Sequence, residues 1–209
     1  MRYKTVILFN KKNTQLNKTN KRIIIFASGS GSNALKIFEY FNNNQNIIID
    51  SIYCNNPRAN VINVFQKLSI KTVLFNKKNL YERAFLEAII STNPDLIVLA
   101  GFLLKIPEKM VSAFKNRIIN IHPSLLPKYG GKGMYGLNIH KEVILNKEKI
   151  SGLTIHYVNK EYDKGAVIFQ KKIKINEKET PESLSSKVLK LEHENYPLII
   201  EKILNNEGL

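Results

Sequence analysis

The chain has 209 residues, of which 44% are hydrophobic and 23% charged, and its formal net charge is +15. This balance is typical of a globular domain. The sequence has no apolar run long enough for a membrane span and no signal-peptide pattern, which argues against a membrane protein and a secreted protein. Cys54 is the single cysteine, which excludes an internal disulfide. The lysines are dispersed rather than gathered with aromatic residues, which argues against a nucleic-acid partner and favours a small anionic ligand.

Apolar runs alternate with amphipathic segments through the first half of the chain. Continuous apolar runs are typical of strands covered on both faces, whereas apolar residues at helical spacing, as in "NALKIFEYF", indicate helices. The pattern predicts strands at 22–27, 46–53, 71–75, 95–102 and 117–121, and helices at 33–41, 60–68, 80–90 and 107–114. This alternation favours a parallel sheet with helices on both faces.

The pattern changes after residue 130. A short helical segment (140–146) precedes an alternating, half-exposed strand (153–158) and a second strand (167–175), which we expect to form a hairpin. Thr180 is expected to cap a long final helix, and Pro197 to kink or break it.

The predicted fold class is therefore α/β. It comprises a Rossmann-like, mostly parallel sheet with helices on both faces, a C-terminal β-hairpin and a long C-terminal helix. We expect a basic N-terminal extension at 1–21 and a single domain at 22–209, in an intracellular, cytoplasmic protein.

A glycine-rich segment, "SGSGSNA", joins the first predicted strand to the first helix. Gly29 and Gly31 allow a tight turn, and the helix start at Ser32 and Asn33 offers free N–H groups to an anion. The spacing matches the G-x-G-x-x-A pattern of dinucleotide sites. However, Asp50 falls in the middle of the second strand, whereas the ribose-binding acid of such sites lies at the strand's end. We therefore favour a single phosphate group as the ligand.

Asn120 and His122 lie at the end of the fifth predicted strand. Because side chains alternate along a strand, both point to one face, at the edge where open α/β sheets bind ligands and where the glycine loop begins. An imidazole can move a proton or, when charged, stabilise an oxyanion, and a carboxamide can donate to that oxyanion. Asp163, in the turn "EYDKG", is expected to raise the pKa of the imidazole and keep it charged, and Gly165 permits a tight turn.

The remaining histidines are expected to be structural. His140 and His193 are predicted on helix surfaces, and His156 is predicted to serve packing or hydrogen bonding. No metal is expected, because His122 and Asp163 lack a third ligand at metal-site spacing.

Four segments, "SGSGSN", "PDLIVLAGF", "NIHPSLLPKYGG" and "YDKGAVIFQ", resemble in order and spacing the family of phosphoribosylglycinamide formyltransferases, which act in the third step of purine synthesis. The resemblance runs from about Lys21 to the C-terminus. It implies formyl transfer from the co-substrate 10-formyltetrahydrofolate to the amine of glycinamide ribonucleotide, with only small molecules as partners, by a monomer or homodimer. It assigns catalysis to Asn120, His122 and Asp163.

The resemblance also implies binding residues. The substrate phosphate is expected on Gly31, Ser32 and Asn33, and Glu192 is expected to bind the ribonucleotide because "LEHENYP" resembles the family's "QEHxxYP". The folate is expected against Lys78, Leu103, Leu104, Lys105, Ile106, Asn120, Asn159, Lys160, Glu161, Tyr162 and Asp163. The sequence departs from the family pattern at "GGKGMYGLNIH", which replaces a short Pro-Gly turn, and at Leu104, where many relatives have Arg.

Rival functions remain open. Formyltetrahydrofolate hydrolases and methionyl-tRNA formyltransferases share the Asn, His and Asp, although each is expected to carry a further domain. The glycine pattern is also compatible with a nicotinamide-dependent oxidoreductase. The net charge of +15 is also compatible with a nucleic-acid-binding protein.

Overall fold

The computed structural model describes residues 20–207. The chain divides into two compact units, one up to Ile118 and one from Ile119. The predicted extension (1–21) lies almost wholly outside the described residues, and the single domain at 22–209 stays a prediction.

The first unit is an alternation of strands and helices. Its strands are β1 (Lys21–Ala27), β2 (Ile47–Cys54), β3 (Lys71–Leu74) and β4 (Leu96–Leu99), and its helices are α1 (Ser32–Phe41), α2 (Asn60–Lys67), α3 (Lys77–Leu80), α4 (Arg83–Thr92) and α5 (Glu108–Ala113). The strands are parallel in the order β3-β2-β1-β4. β4 is buried along its whole length and β1 over its last five residues, as their apolar runs predict. Helix α3 is not among the predicted elements.

Asp50 occupies a register shift in the pairing of β1 with β2, between the pairs of Ile23 and Ile24. Its carboxylate accepts a hydrogen bond from Nη1 of Arg22 over 3.1 Å. Asp50 therefore lies in the middle of β2, as predicted. A ribose-binding acid would lie at the carboxyl end of the strand, so Asp50 does not suit that role.

The second unit contains most of β5 (Ile118–His122), followed by α6 (Leu137–Leu145), β6 (Ile150–Tyr157), β7 (Val167–Lys174) and α7 (Pro181–Leu204). β6 pairs antiparallel with both β5 and β7, which confirms the hairpin. The expectation that β6 is half-exposed is wrong: all its residues from Ser151 to His156 are buried, because β6 has a neighbouring strand on each side and α7 packs against it.

Helix α7 runs without interruption past Pro197, so Pro197 does not break it, and the expected kink stays a prediction. Thr180 caps the helix as predicted, since its side chain accepts from the amide of Ser183. Tyr196, Ile199 and Ile200 are buried around the proline, and this packing outweighs the loss of one helical hydrogen bond.

The predicted fold class is confirmed. Within residues 20–207, no helix has the length and apolar character needed to span a membrane.

Candidate active site

Strand pairing in the second unit places Asn120 directly opposite His156. Nδ1 of His156 lies 2.9 Å from the carbonyl oxygen of Tyr157, and because a carbonyl only accepts, Nδ1 must carry a proton. Nε2 of His156, 3.1 Å from Nδ2 of Asn120, accepts from that amide in the neutral ring. The carboxamide of Asn120 is thereby held in one orientation, with its second N–H left for a ligand.

His122 is 4% exposed. Its Nε2 atom lies 2.8 Å from the carbonyl oxygen of Tyr129, so Nε2 is the donor and Nδ1 is the free nitrogen of the neutral ring. Nδ1 faces Oδ2 of Asp163 at 3.7 Å, a separation too long for a direct hydrogen bond.

The pKa of His122 is lowered, because burial outweighs the opposing effect of the Asp163 carboxylate and of the hydrogen bond to Tyr129. This corrects the expectation that Asp163 keeps the imidazole charged: with no ligand bound, His122 is neutral near pH 7. A charged imidazole would still gain roughly 4 kcal/mol from a carboxylate at this distance in a medium of effective dielectric constant near 20.

Asp163 lies between the two histidines, with Oδ1 at 3.6 Å from Nε2 of His156. The amide of Gly131 donates to its Oδ2 atom over 2.8 Å. Burial alone would raise the pKa of this carboxyl, but its interactions with His156 and His122 and the hydrogen bond from the Gly131 amide together bring it below its usual range. The group is therefore a carboxylate at neutral pH.

The turn that presents Asp163 depends on Gly165. A Cβ atom there would lie 1.6 Å from the carbonyl oxygen of Tyr157, so only glycine fits, as the sequence predicts. Asp163 itself has a left-handed φ of 54°.

A loop from Pro123 to Gly131 is held by the neighbouring strands β6 and β7. The hydroxyl of Thr154 donates to the carbonyl of Ser124 over 2.6 Å and accepts from the amide of Leu126 over 3.0 Å. Nε2 of Gln170 donates to both Thr154 and the carbonyl of Leu126. Sequence reasoning missed these two residues; a polar side chain between apolar neighbours is a signal for Thr154, whereas Gln170 lies in a strand with three lysines and no buried residue.

His140 does not lie on a helix surface as expected, since it is 2% exposed. Its pKa is lowered to about 4, first by burial and then by the interaction with nearby His122. His193 is half-buried rather than surface-exposed.

The first unit holds the predicted phosphate residues at the start of α1. Gly31, and not a serine or asparagine, is the N-cap, with a left-handed φ of 79°. A Cβ atom there would lie 2.5 Å from Cγ2 of Val61, so the loop requires glycine. Ser32 is half-exposed and Asn33 is buried. The start of an α-helix favours anions through the helix dipole, and at this one the amide of Ser32 donates to Oγ of Ser30 over 3.5 Å.

The predicted folate residues of the first unit are brought together. Tyr81, which caps α3, donates from its hydroxyl to the carbonyl of Lys105 over 3.4 Å, so the helix that carries Lys78 adjoins the segment 103–106. Ile106 is buried, whereas half the surface of Leu103 is exposed. Leu104 is intermediate.

The other predicted ligand residues lie in the second unit. Asn159 orders the turn around residues 159–164, since its side chain accepts from the amide of Glu161 and donates to the carbonyl of Lys164. Lys160 and Tyr162 of this turn are exposed, and Glu192 is buried on α7. Across residues 20–207, no group of three or more His, Cys, Asp and Glu side chains is arranged to hold a metal ion.

Known proteins share this architecture. Residues 21–200 match the family described as Formyl transferase. The chain is 35% identical over 196 residues to the phosphoribosylglycinamide formyltransferase of Bacillus subtilis (strain 168), with 90% of this chain and 98% of that protein aligned. It is 34% identical over 192 residues, 88% of its length, to the chloroplastic enzyme of that name from Arabidopsis thaliana, of which it spans 65%.

A solved structure gives the same assignment. The crystal structure of phosphoribosylglycinamide formyltransferase from Anaplasma phagocytophilum matches with a TM-score of 0.81 at 33% identity, over 90% of this chain and 88% of that one. The chain therefore belongs to the formyl transferase family.

Proposed function

We propose that this chain transfers a formyl group from 10-formyltetrahydrofolate to the amine of N1-(5-phospho-D-ribosyl)glycinamide, the third step of de novo purine (IMP) biosynthesis. The observation that carries the proposal is the cluster of Asn120, His122, His156 and Asp163, in which both histidines are buried, in a chain of the formyl transferase family. Relatives aligned over most of this chain bear the name of that enzyme. We place the reaction in the cytoplasm, in a monomer or homodimer that uses no metal and binds small molecules alone.

The chemistry we propose is direct transfer without a covalent enzyme intermediate. The substrate amine attacks the formyl carbon, and the free N–H of Asn120 donates to the oxyanion that forms. Nδ1 of His122, which is not engaged by Tyr129, takes a proton from the attacking amine. The imidazolium so formed is balanced by the Asp163 carboxylate and stabilises the oxyanion. Collapse of the intermediate breaks the bond from the formyl carbon to N10, and the proton passes to N10.

Binding is assigned to both units. The substrate phosphate would bind at Gly31, Ser32 and Asn33, where the start of α1 offers amide donors, and Glu192 would bind the ribonucleotide. The folate would bind at the residues predicted for it in each unit, which are Lys78 and 103–106 in the first and Asn120 and 159–163 in the second.

A product assay tests this function against its main alternative. Tetrahydrofolate release from 10-formyltetrahydrofolate is followed with and without glycinamide ribonucleotide. We expect release only with the ribonucleotide, together with its formylated product. Release without it would instead assign the hydrolase reaction, and no release in either case would refute formyl transfer.

A further inference from the structure

Ser28, the residue just before the glycine loop, is 6% exposed and surrounded by hydrogen-bond partners. Its amide donates to the carbonyl of Gly101 over 3.1 Å, and its carbonyl accepts from Nδ2 of Asn56 over 3.3 Å. These backbone contacts fix Ser28 where β1, β2 and β4 end. They do not involve the side chain, which is free for other partners.

The hydroxyl of Ser28 makes two further hydrogen bonds, and the donor and acceptor of each can be identified. The amide of Leu103 lies 3.1 Å from Oγ, and because a backbone N–H only donates, Oγ accepts. The single proton of the hydroxyl then goes to Oδ1 of Asn55, 2.6 Å away. One hydroxyl thus links the start of the glycine loop to the first residue of the segment 103–106.

Apart from this bond, the Leu103 end of the segment is held mainly by its neighbour Phe102, which is 8% exposed and packs against Phe26 and Phe75. The side chain of Leu103 is 50% exposed and adds little packing, and the Tyr81 hydroxyl that reaches Lys105 belongs to a side chain that is 55% exposed. At the other end, Ile106 is 3% exposed and packs firmly. Segments with few buried contacts depend on their remaining hydrogen bonds for order.

We propose that Ser28 is a positioning residue for the folate, acting through the backbone of Leu103. The inference rests on the proposed function, since it takes 103–106 as a folate-binding segment. Although Ser28 adjoins the phosphate loop, its backbone contacts survive loss of the hydroxyl. Removing the hydroxyl therefore affects folate binding and leaves the ribonucleotide site intact.

The test is Ser28→Ala, with steady-state kinetics for each substrate and amide hydrogen exchange of the free protein. We expect the KM for 10-formyltetrahydrofolate to rise about ten-fold, because the Leu103 amide and Oδ1 of Asn55 each lose a hydrogen-bond partner. The KM for the ribonucleotide should change less than two-fold and kcat less than three-fold. Exchange of the Leu103 amide should accelerate about ten-fold, a readout that needs no catalysis.

Ser51→Ala is the matched control, because Ser51 is a buried serine of β2 that bonds to Asp50 instead. It should move neither the folate KM nor the Leu103 exchange. Equal changes in both KM values, or an unchanged folate KM in Ser28→Ala, would overturn the proposal. If the wild type fails to transfer formyl groups, the proposed function fails, while unaltered Leu103 exchange in Ser28→Ala would separately refute the Ser28 contact.

Discussion

Nε2 of His156 lies 3.1 Å from Nδ2 of Asn120, while the opposite ring nitrogen is fixed by the carbonyl of Tyr157. The imidazole therefore determines which way the carboxamide points. We expect His156→Phe, which keeps a ring but loses the acceptor, to lower kcat about ten-fold by releasing Asn120. A double variant with Asn120→Ala should lose less than the two single losses combined, since part of the effect of His156 passes through Asn120 and the rest through its contact with Asp163. Additive losses in kcat would show that His156 acts independently of Asn120.

The Thr154 hydroxyl is expected to be the main support of the loop at 123–131. Thr154→Val keeps the shape of the side chain but leaves Leu126 and Ser124 without their partner, and should lower the free energy of unfolding by about 3 kcal/mol. Thr154→Ser retains the hydroxyl and should lower the free energy of unfolding by less than about 1.5 kcal/mol. Urea unfolding of the three proteins measures the difference. Similar stabilities for the valine and serine variants would contradict this role.

Gly165 should tolerate no side chain. In Gly165→Ala the new Cβ would overlap the carbonyl oxygen of Tyr157, so the turn must move, and we expect a loss of at least about 3 kcal/mol in the free energy of unfolding. Gly29→Ala is the control for stability, because nothing lies within 4 Å of its added Cβ. Equal melting temperatures for Gly165→Ala and Gly29→Ala would refute the close approach of Gly165 to the carbonyl oxygen of Tyr157.

His140 should make stability depend on pH. Its folded-state pKa is about 4, below the 6.5 of the unfolded chain, so only the unfolded state binds a proton between these values. The free energy of unfolding should therefore fall as pH drops from 6.5 to 4, by roughly 3 kcal/mol from this residue. Urea unfolding of wild type and His140→Leu across this range isolates the effect. Parallel pH profiles would mean that His140 titrates normally.

The sequence predicted the order of the strands along the chain because buried parallel strands are continuous apolar runs, as in "RIIIFA" and "DLIVLAGF". It also predicted that Asn120 and His122 share the end of one strand. It did not predict the neutral state of His122, since burial, which dominates the pKa of this residue, depends on packing by residues distant in sequence.

Tertiary packing explains the other misses. Alternation of polar and apolar residues in β6 predicted exposure, but the polar positions, Thr154 and His156, are buried and satisfied by hydrogen bonds. Pro197 lacks a helical donor, yet its buried neighbours keep α7 continuous. A single sequence does not identify the partners that provide this compensation, because they become neighbours only on folding.

We propose that Asn120, His122 and Asp163 act mainly in the formyl-transfer step, although Asn120 and Asp163 are also among the residues predicted to contact the folate. The most direct measurement follows the transfer of a labelled formyl group into glycinamide ribonucleotide under single-turnover conditions, for the wild type, Asn120→Ala, His122→Ala and Asp163→Asn. Dissociation constants for both substrates are measured beside the rates. We predict rates at least about a hundred-fold below the wild type, with dissociation constants within a few-fold. If Asn120→Ala and His122→Ala both transfer the formyl group within a few-fold of the wild-type rate, these residues do not have the proposed role in the transfer step.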